Sequence, residues 1–557
     1  MASIGDTSAT FCATLVDEWI RQGVRHAVIA PGSRSTPLAI ALASRSEISV
    51  HLFHDERSAG FAALGCGLAA GVPAVVLCTS GTAATHFHAA VAEANASHVP
   101  MIVCTADRPS ELHDVAAPQT INQTNLYGSA VRWFHDSGVP SFDASHTWRP
   151  LAARSYAATL QQQPGPVHLN LPFREPLVGI VGDMPAAREG AWSRVLRSVA
   201  SHSEGLGEIS TLVSGRRGIL IAGNGATREV LSLAEALQWP IFADATSGLR
   251  ECHSHVLTSF DPILRSEKFI QTHSPEVVLR IGSPPASKVL AQWVASSGAD
   301  VIQITQYETV IDPDHVVGLT VIGDIPHTLR SLSTDVGACG SQWLADWCDA
   351  ENTAQKVIDT FTNTTWCEPT IARETTKAME VGTHLVVSSS MPIRDVEWFG
   401  TVTPGVTVHA NRGTNGIDGV VSTAIGVALV SHAPVTVYIG DVAFLHDSTA
   451  LIGLLRRDLR LRIVIVNNDG GSIFSFLPQA ESVSASTFEL LYGTPHGVRI
   501  SSLAHAHGIT HVEVSDHDGL RKALQNSETQ IIEVVTDRAV NVAVHQALNE
   551  AVVTALG

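Results

Sequence analysis

Short apolar runs that end in polar, Gly- or Pro-bearing turns recur along most of this chain, and they limit the fold more than any single residue does. Over residues 7–177 the runs are "HAVIAPGSR", "SVHLFHDER", "AVVLCTSGT", "MIVCTADRP" and "VHLNLPFREP", separated by helical patterns. Strands that alternate with helices pair in parallel, with the helices covering both faces. A second set follows: "GILIAGNGA", "PIFADATSG", "EVVLRIGSPP", "VIQITQ" and "TVIGD". After a polar segment at 181–204 and a Trp- and Cys-rich helical stretch at 343–366, respectively before and after that second set, a third set comprises "HLVVSSSMPIRD", "VTVHANRGTNGIDG", "VTVYIGD" and "RIVIVNNDGG". The expectation is an α/β protein of three doubly wound parallel sheets, spanning 1–184, 185–345 and 346–557, with the first and third alike in layout.

Length agrees, since 557 residues exceed what one core supports and point to about three domains. A net charge of −18 disfavours a general role on nucleic acid or an anionic membrane, so an anionic ligand must be caught locally. The eight cysteines form no CxxC pair, as expected of reduced thiols in a cytoplasm. The N-terminus "MASIGDTSATFCATLVDEW" has no basic stretch followed by an apolar run, so no secretory signal is expected. Residues 58–92 lack any charged side chain, but Pro73, "TSGT" and many glycines read as helix, strand, loop and helix, not a membrane span.

In open parallel sheets ligands bind beyond the carboxyl ends of the strands, which gathers Ser33, Arg34, Glu56, Ser80, Asp107 and Arg108 on one rim. In the third set, "VTVYI" runs straight into Gly440 and Asp441, and "STALIGLLRRD" has helical spacing. Residues 435–471 thus read as one βαβ unit whose two strands deliver Asp441 and "NNDGG" to the same side. Asp441, an Asn467 or Asn468 side chain and a turn carbonyl would supply part of a Mg²⁺ shell, with a diphosphate at the helix N-terminus. The plainer alternative is a capping aspartate and a tight turn. "GNGATR" lacks the last glycine of a dinucleotide fingerprint and reads as an ordinary turn.

Asp441 and Asn468, with 27 positions separating them, resemble the Gly-Asp-Gly…Asn-Asn signature of thiamin-diphosphate enzymes, with Val442 replacing the second glycine. The ordered set "PGSRSTPLA", "DERSAGFAALG", "TSGTA", "ADRP", "PQTINQ", "GPVHLNLPFREPL", "NRGTNGIDGVVSTAIG", "IGD" and "NNDGGSIFSFLP" closely resembles the 2-succinyl-5-enolpyruvyl-6-hydroxy-3-cyclohexene-1-carboxylate synthase (MenD) family of menaquinone biosynthesis. The match covers the first and third domains almost end to end, and the middle one mainly at "GSPPASK".

The resemblance implies pyrimidine-binding, central and diphosphate-binding domains. It implies thiamin diphosphate with Mg²⁺, or Mn²⁺ in its place, held by Asp441, Asn468 and the Gly470 carbonyl. Active sites would lie at the subunit interface of a homodimer or homotetramer. The implied reaction decarboxylates 2-oxoglutarate and adds the succinyl carbanion equivalent to isochorismate. Glu56 matches the glutamate that engages the cofactor's pyrimidine; an isolated Glu there would otherwise be read as a helix-dipole charge. Ile417 matches the aliphatic residue under the bent cofactor, and a core isoleucine is its alternative.

Both substrates are dicarboxylates, for which arginine is the natural ligand. Arg34, Arg108, Arg394 and Arg412 match the family's substrate-site arginines, with Ser33, Gln119, Ser390 and Lys288 beside them. The family often carries Arg where this chain has Val289. Ile473, Phe474 and Leu477 offer an apolar wall. "CHSH" (Cys252, His253, His255) and "HFH" (His86, His88) lack second ligand pairs and read as structural, and GxSxG is absent. Two competing readings are another 2-oxoacid decarboxylase or carboligase using the same cofactor, and a non-catalytic protein on the same fold.

Overall fold

The computed structural model describes residues 3–195, 205–401 and 403–557. Part of the polar segment read at 181–204, namely 196–204, lies outside the described residues, as do the first two residues of the N-terminus.

The apolar runs form three six-stranded sheets. The first consists of β1 (His26–Ile29), β2 (Ser49–Leu52), β3 (Ala74–Cys78), β4 (Met101–Asp107), β5 (Phe134–Asp136) and β6 (Pro166–Pro172). Its order is β2-β1-β3-β4-β6-β5. The second consists of β7 (Gly218–Ala222), β8 (Ile241–Ala243), β9 (Val256–Leu257), β10 (Val277–Ile281), β11 (Asp300–Thr305) and β12 (Val317–Ile322), ordered β12-β11-β10-β7-β8-β9. The third consists of β13 (His384–Val387), β14 (Thr407–His409), β15 (Val435–Gly440), β16 (Leu461–Asn467), β17 (Thr510–Val514) and β18 (Gln530–Val535), ordered β14-β13-β15-β16-β18-β17. The pairings run parallel, as β1 with β3, β7 with β10 and β13 with β15 illustrate.

The first and third sheets therefore share one order, and the middle sheet has another. The likeness extends to side chains. His26 of β1 stacks on His51 of β2 with ring centroids 5.5 Å apart, and His384 of β13 stacks on His409 of β14 at 5.2 Å. Burial, reinforced by the partner imidazole, pushes His51 and His409 down to about 4, so both pairs are neutral near pH 7. In the middle sheet the glycine-rich turn after β7 bonds to the turn after β10, through Gly223 N–H to the Ile281 carbonyl and Ser283 N–H to the Asn224 carbonyl. Those glycines serve strand packing. The charge-free stretch 58–92 becomes the helix Glu56–Ala70, β3, and the helices Thr82–Thr85 and His88–Ala96. Among the described residues no helix is long and apolar enough to cross a membrane.

One expectation fails. The segment "STALIGLLRRD" forms two 3₁₀ turns, Ser448–Leu451 and Leu454–Arg456, not an α-helix. Gly453 between them is left-handed (φ 70°), and the buried Asp447 carboxylate accepts from Ser58 Oγ and from Ser422 N–H and Oγ. Side-chain anchoring fixes the backbone there in place of a continuous helical ladder.

The chain packs as two compact units. One contains Met1–Arg197, Asn411–Ala433 and Ala443–Leu461, and carries the first sheet. The other contains Ser198–Ala410, Pro434–Val442 and Arg462–Gly557, and carries the second and third sheets. In the second unit the helix Ser341–Thr364 sets Trp343 and Trp347 into the core over β7 and β10. In the first unit the helix Val420–Ser431 lies against the helix Glu56–Ala70 at a separation only glycine allows. A Cβ on Gly65 would sit 2.0 Å from the Thr423 carbonyl oxygen, and one on Gly426 would sit 2.1 Å from that of Ala62.

Two stability measurements test these features. Gly426→Val should force the helices apart and cost about 1–3 kcal/mol in equilibrium unfolding; an unchanged unfolding midpoint would mean the contact is slack. Ser390, just after β13, has φ 77° and ψ −137°, a region that disfavours any Cβ. Such strain costs roughly 1–3 kcal/mol. Ser390→Gly should therefore raise the midpoint while Ser390→Ala does not, and equal effects of the two would remove the strain from the account.

Candidate active site

In the first unit the turns after β1, β3 and β4 close on one another. Arg34 is buried; its Nη1 donates to the Phe173 carbonyl at 2.9 Å and its Nη2 to Glu175 Oε1 at 3.0 Å. Its backbone N–H reaches Thr79 Oγ1, and Ser80 Oγ donates to the Gln119 carbonyl at 2.9 Å. Ser33 and Gln119 are exposed at this rim. Arg108 follows β4, with its Nε buried and without a hydrogen-bond partner. Asp107, also on the rim, is not free: it accepts from the Arg108 N–H and from Asn170 Nδ2, and burial pushes its carboxyl up.

Glu56 is the first residue of its helix, and Asp55 is the cap, accepting from Arg57 N–H at 2.9 Å and from Thr449 Oγ1 at 2.9 Å. The two adjacent carboxylates thus divide their work. Asp55 is held by the fold, whereas the Glu56 carboxylate takes no hydrogen bond from any described residue. Arg57 ties the same turn to the His446 carbonyl. Arg412 and Ile417 stand in the 411–433 segment of this unit, both half-buried. The loop after Arg412 is pinned by buried Glu93, which accepts from the N–H groups of Gly413 (2.8 Å) and Thr414 (2.7 Å). Glu93 also accepts from Ser97 Oγ four residues on, but the loop it pins lies more than three hundred residues away, beyond the reach of a local sequence pattern.

In the second unit β15 and β16 deliver Asp441 and Asn468 to one point. Asp441 Oδ2 accepts from the N–H groups of Asn468 (3.1 Å) and Gly470 (3.0 Å), and His496 Nε2 lies 3.2 Å away. Asp441 Oδ1 accepts from Val442 N–H at 2.7 Å. Burial pushes the Asp441 carboxyl up, and the Gly470 and Val442 N–H groups pull it back. Val442 sits inside the helix Asp441–His446 with no positive φ, so this position has no need of the glycine that the signature carries. Gly470 does need to be glycine: its φ is 140°, and a Cβ would stand 1.9 Å from the Gly493 carbonyl oxygen.

The donor set fits a hard divalent cation. Asn468 Oδ1 is buried with no hydrogen-bond partner, an orphaned oxygen that a metal ion would satisfy. With the Asp441 carboxylate and the Gly470 carbonyl, which also accepts from Ser472 N–H at 3.0 Å, it would offer an all-oxygen donor set of the type Mg²⁺ completes with phosphate and water. Among the described residues no group of three His, Cys, Asp or Glu side chains is arranged to hold a metal. His253 instead lies 3.2 Å from Glu235 Oε1, and His255 Nδ1 lies 3.0 Å from Ser254 Oγ.

The remaining sequence-predicted residues of this unit are placed as follows. Arg394 Nη1 donates to the strained Ser390 carbonyl at 2.6 Å. Lys288 is exposed at the start of the helix Lys288–Ser296, and Val289 packs partly against the core. Ile473, Phe474 and Leu477 are half-buried on or just after the turn Ser472–Phe476; Ile473 packs on the core and Phe474 contacts the Tyr492 ring.

Three family models match successive parts of the chain. Residues 10–126 match the "Thiamine pyrophosphate enzyme, N-terminal TPP binding domain", 197–387 the "Middle domain of thiamine pyrophosphate", and 399–534 the "Thiamine pyrophosphate enzyme, C-terminal TPP binding domain". Among solved structures, benzoylformate decarboxylase from Polynucleobacter necessarius shares the fold, with a TM-score of 0.74 at 17% identity over 95% of this chain and 99% of that one. Curated 2-succinyl-5-enolpyruvyl-6-hydroxy-3-cyclohexene-1-carboxylate synthases are similar at full length. The Chloroflexus aurantiacus protein is 39% identical (96% of this chain, 95% of that one), and the Thermobifida fusca protein 38% identical (99% of each). The Myxococcus xanthus protein is 37% identical, over 100% of this chain and 99% of its own length. At 37–39% identity to these synthases over nearly its whole length, the chain belongs to the 2-succinyl-5-enolpyruvyl-6-hydroxy-3-cyclohexene-1-carboxylate synthase family of thiamine pyrophosphate enzymes.

Proposed function

We propose that the protein is a thiamin-diphosphate-dependent transferase of menaquinone biosynthesis. It decarboxylates 2-oxoglutarate and joins the four-carbon remainder to isochorismate, giving 2-succinyl-5-enolpyruvyl-6-hydroxy-3-cyclohexene-1-carboxylate and CO₂. The observation that carries the reading is the meeting of Asp441 with Asn468 and Gly470, residues 27 and 29 positions away, around an orphaned amide oxygen.

Thiamin diphosphate, when bound, supplies an electron sink that stabilises the charge left when CO₂ departs. The chain's own residues bind, orient and shield. We assign Asp441, Asn468 and the Gly470 carbonyl to Mg²⁺, or to Mn²⁺ in its place, and through the ion to the diphosphate. Glu56 would share a proton in a hydrogen bond with a ring nitrogen of the cofactor's pyrimidine; its lack of a protein partner leaves the carboxyl group available. Ile417 would support the cofactor, and Ser390 would contribute to cofactor binding. Arg34, Arg394 and Arg412 bind the substrate carboxylates, helped by Arg108, Ser33, Gln119 and Lys288. Arg108, with its buried unpartnered Nε, has a direct need for an anionic ligand. Ile473, Phe474 and Leu477 give an apolar wall against the isochorismate ring.

We assign 1–184 to pyrimidine binding, 185–345 to a central domain and 346–557 to diphosphate binding. The assembly is a homodimer or homotetramer with active sites at the subunit interface, as the resemblance implies. It works in the cytoplasm, in keeping with eight free cysteines.

The deciding assay is CO₂ release from 2-oxoglutarate, with product identification in the presence of isochorismate. Release should require added thiamin diphosphate and divalent metal, and pyruvate should not replace 2-oxoglutarate. Metal-independent release, or a preference for pyruvate, would contradict the assignment. Glu56→Gln should fold normally and reduce turnover by roughly 10²–10⁴-fold; near-normal turnover would remove Glu56 from the chemistry. Asp441→Ala should weaken Mg²⁺-dependent cofactor binding, read by calorimetry, at least tenfold, and should also lower the unfolding midpoint of the metal-free protein, because three backbone N–H groups lose their acceptor. Unchanged affinity would refute the metal site.

A further inference from the structure

Asn468 is held from behind. Its Nδ2 donates to Glu368 Oε1 at 3.0 Å, and the same oxygen accepts from Thr536 Oγ1 at 2.9 Å. Glu368 Oε2 accepts from Asn541 Nδ2 at 2.8 Å, and Asn541 Nδ2 also reaches Ser472 Oγ at 3.1 Å. Glu368 and Asn541 are each 2% exposed, at the start of the helix Glu368–Lys377 and inside the helix Arg538–Ala555. Beyond Asn541 the network continues: its carbonyl lies 2.8 Å from His545 Nδ1, and His545 Nε2 lies 2.7 Å from Asp395 Oδ1. Asp395 directly follows Arg394 in the chain.

The two ends of a primary amide have nearly the same shape and opposite polarity, so only its partners decide which end faces which way. An ionised carboxylate accepts and cannot donate. Opposite Glu368 the amide must present its NH₂, which leaves Oδ1 as the buried, unpartnered end of a residue whose backbone N–H already bonds Asp441. A flipped amide would set an oxygen against the buried carboxylate and a pair of N–H groups against a cation.

We infer that Glu368 is a positioning residue for the metal centre: it selects the rotamer in which Asn468 offers oxygen, and so prepares the cation site before any ligand arrives. This rests on the assignment of Asn468 to the metal. Outer-sphere partners of this kind typically alter metal affinity 10–100-fold.

The test is Mn²⁺ titration of the full-length protein in the presence of thiamin diphosphate, followed by electron paramagnetic resonance, with the melting point of each metal-free protein measured alongside. Glu368→Met, which keeps the bulk and removes the acceptor, should raise the apparent Kd for Mn²⁺ at least tenfold. An isosteric exchange separates orientation from folding. Asn468→Asp alone places two carboxylates edge to edge and should also bind at least tenfold more weakly. Glu368→Gln with Asn468→Asp lets the new amide donate to the new carboxylate and should recover most of that loss. Glu368→Met binding as tightly as wild type, or the double variant binding no better than Asn468→Asp, would overturn the inference. Asn468→Ala separates it from the assignment beneath it: if that change leaves Mn²⁺ binding intact, both fall, whereas if it abolishes binding and Glu368→Met does not weaken it, only the role of Glu368 falls.

Discussion

A carboxylate taken out of water at the end of a parallel strand must be met by donors or by a cation, and the placement of Asp441 sets that demand for the turn after β16. Two backbone N–H groups from the turn after β16 meet it in part. They can do so only because β15 and β16 are neighbours in the sheet and Gly470 takes a backbone conformation closed to other residues. The side chain those N–H groups bring along, Asn468, leaves an oxygen with nothing to bind. Strand order, turn geometry and the polarity of one amide therefore converge on a single place suited to a small hard ion.

The first unit answers a different requirement. An acid meant for a ligand must be held without being consumed by the protein. Asp55 takes the capping and cross-linking contacts, and its neighbour Glu56 is left with none from the described residues. The helix that begins with Glu56 is fixed along its length by the glycine-to-backbone approach with Val420–Ser431 and by the buried Asp447 carboxylate. Those contacts come from segments that follow β14 and β15 in sequence, so the unit that holds Glu56 also contains Arg412 and Ile417.

What could be read from the chain follows from the range over which each signal acts. Apolar runs and turn residues are local, so the parallel α/β class, the three sets of strands and the rim positions of Arg34, Arg108 and Asp441 were legible. Strand order was not, because it depends on which crossover goes which way; the likeness of the first and third sets was expected, and the structure supplies the order they share. The 3₁₀ turns at 448–456 defeated the helical spacing of their leucines, since Asp447 and Gly453 fix the backbone by contacts that periodicity does not encode. Glu93 and Glu368 escaped for the same reason. Each is a buried acid that pins a segment a hundred or more residues away, and neither stands in a pattern of its own. The roles proposed for Glu56, Ile417 and the substrate arginines rest on resemblance.

The most direct test of the oxygen cage is an anomalous difference map from crystals grown with thiamin diphosphate and Mn²⁺. The account predicts one peak per active site, at about 2.0–2.3 Å from an Asp441 carboxylate oxygen, Asn468 Oδ1 and the Gly470 carbonyl oxygen. A cofactor-bound crystal whose metal peak lies elsewhere, or whose Asn468 turns its nitrogen toward the ion, would contradict it.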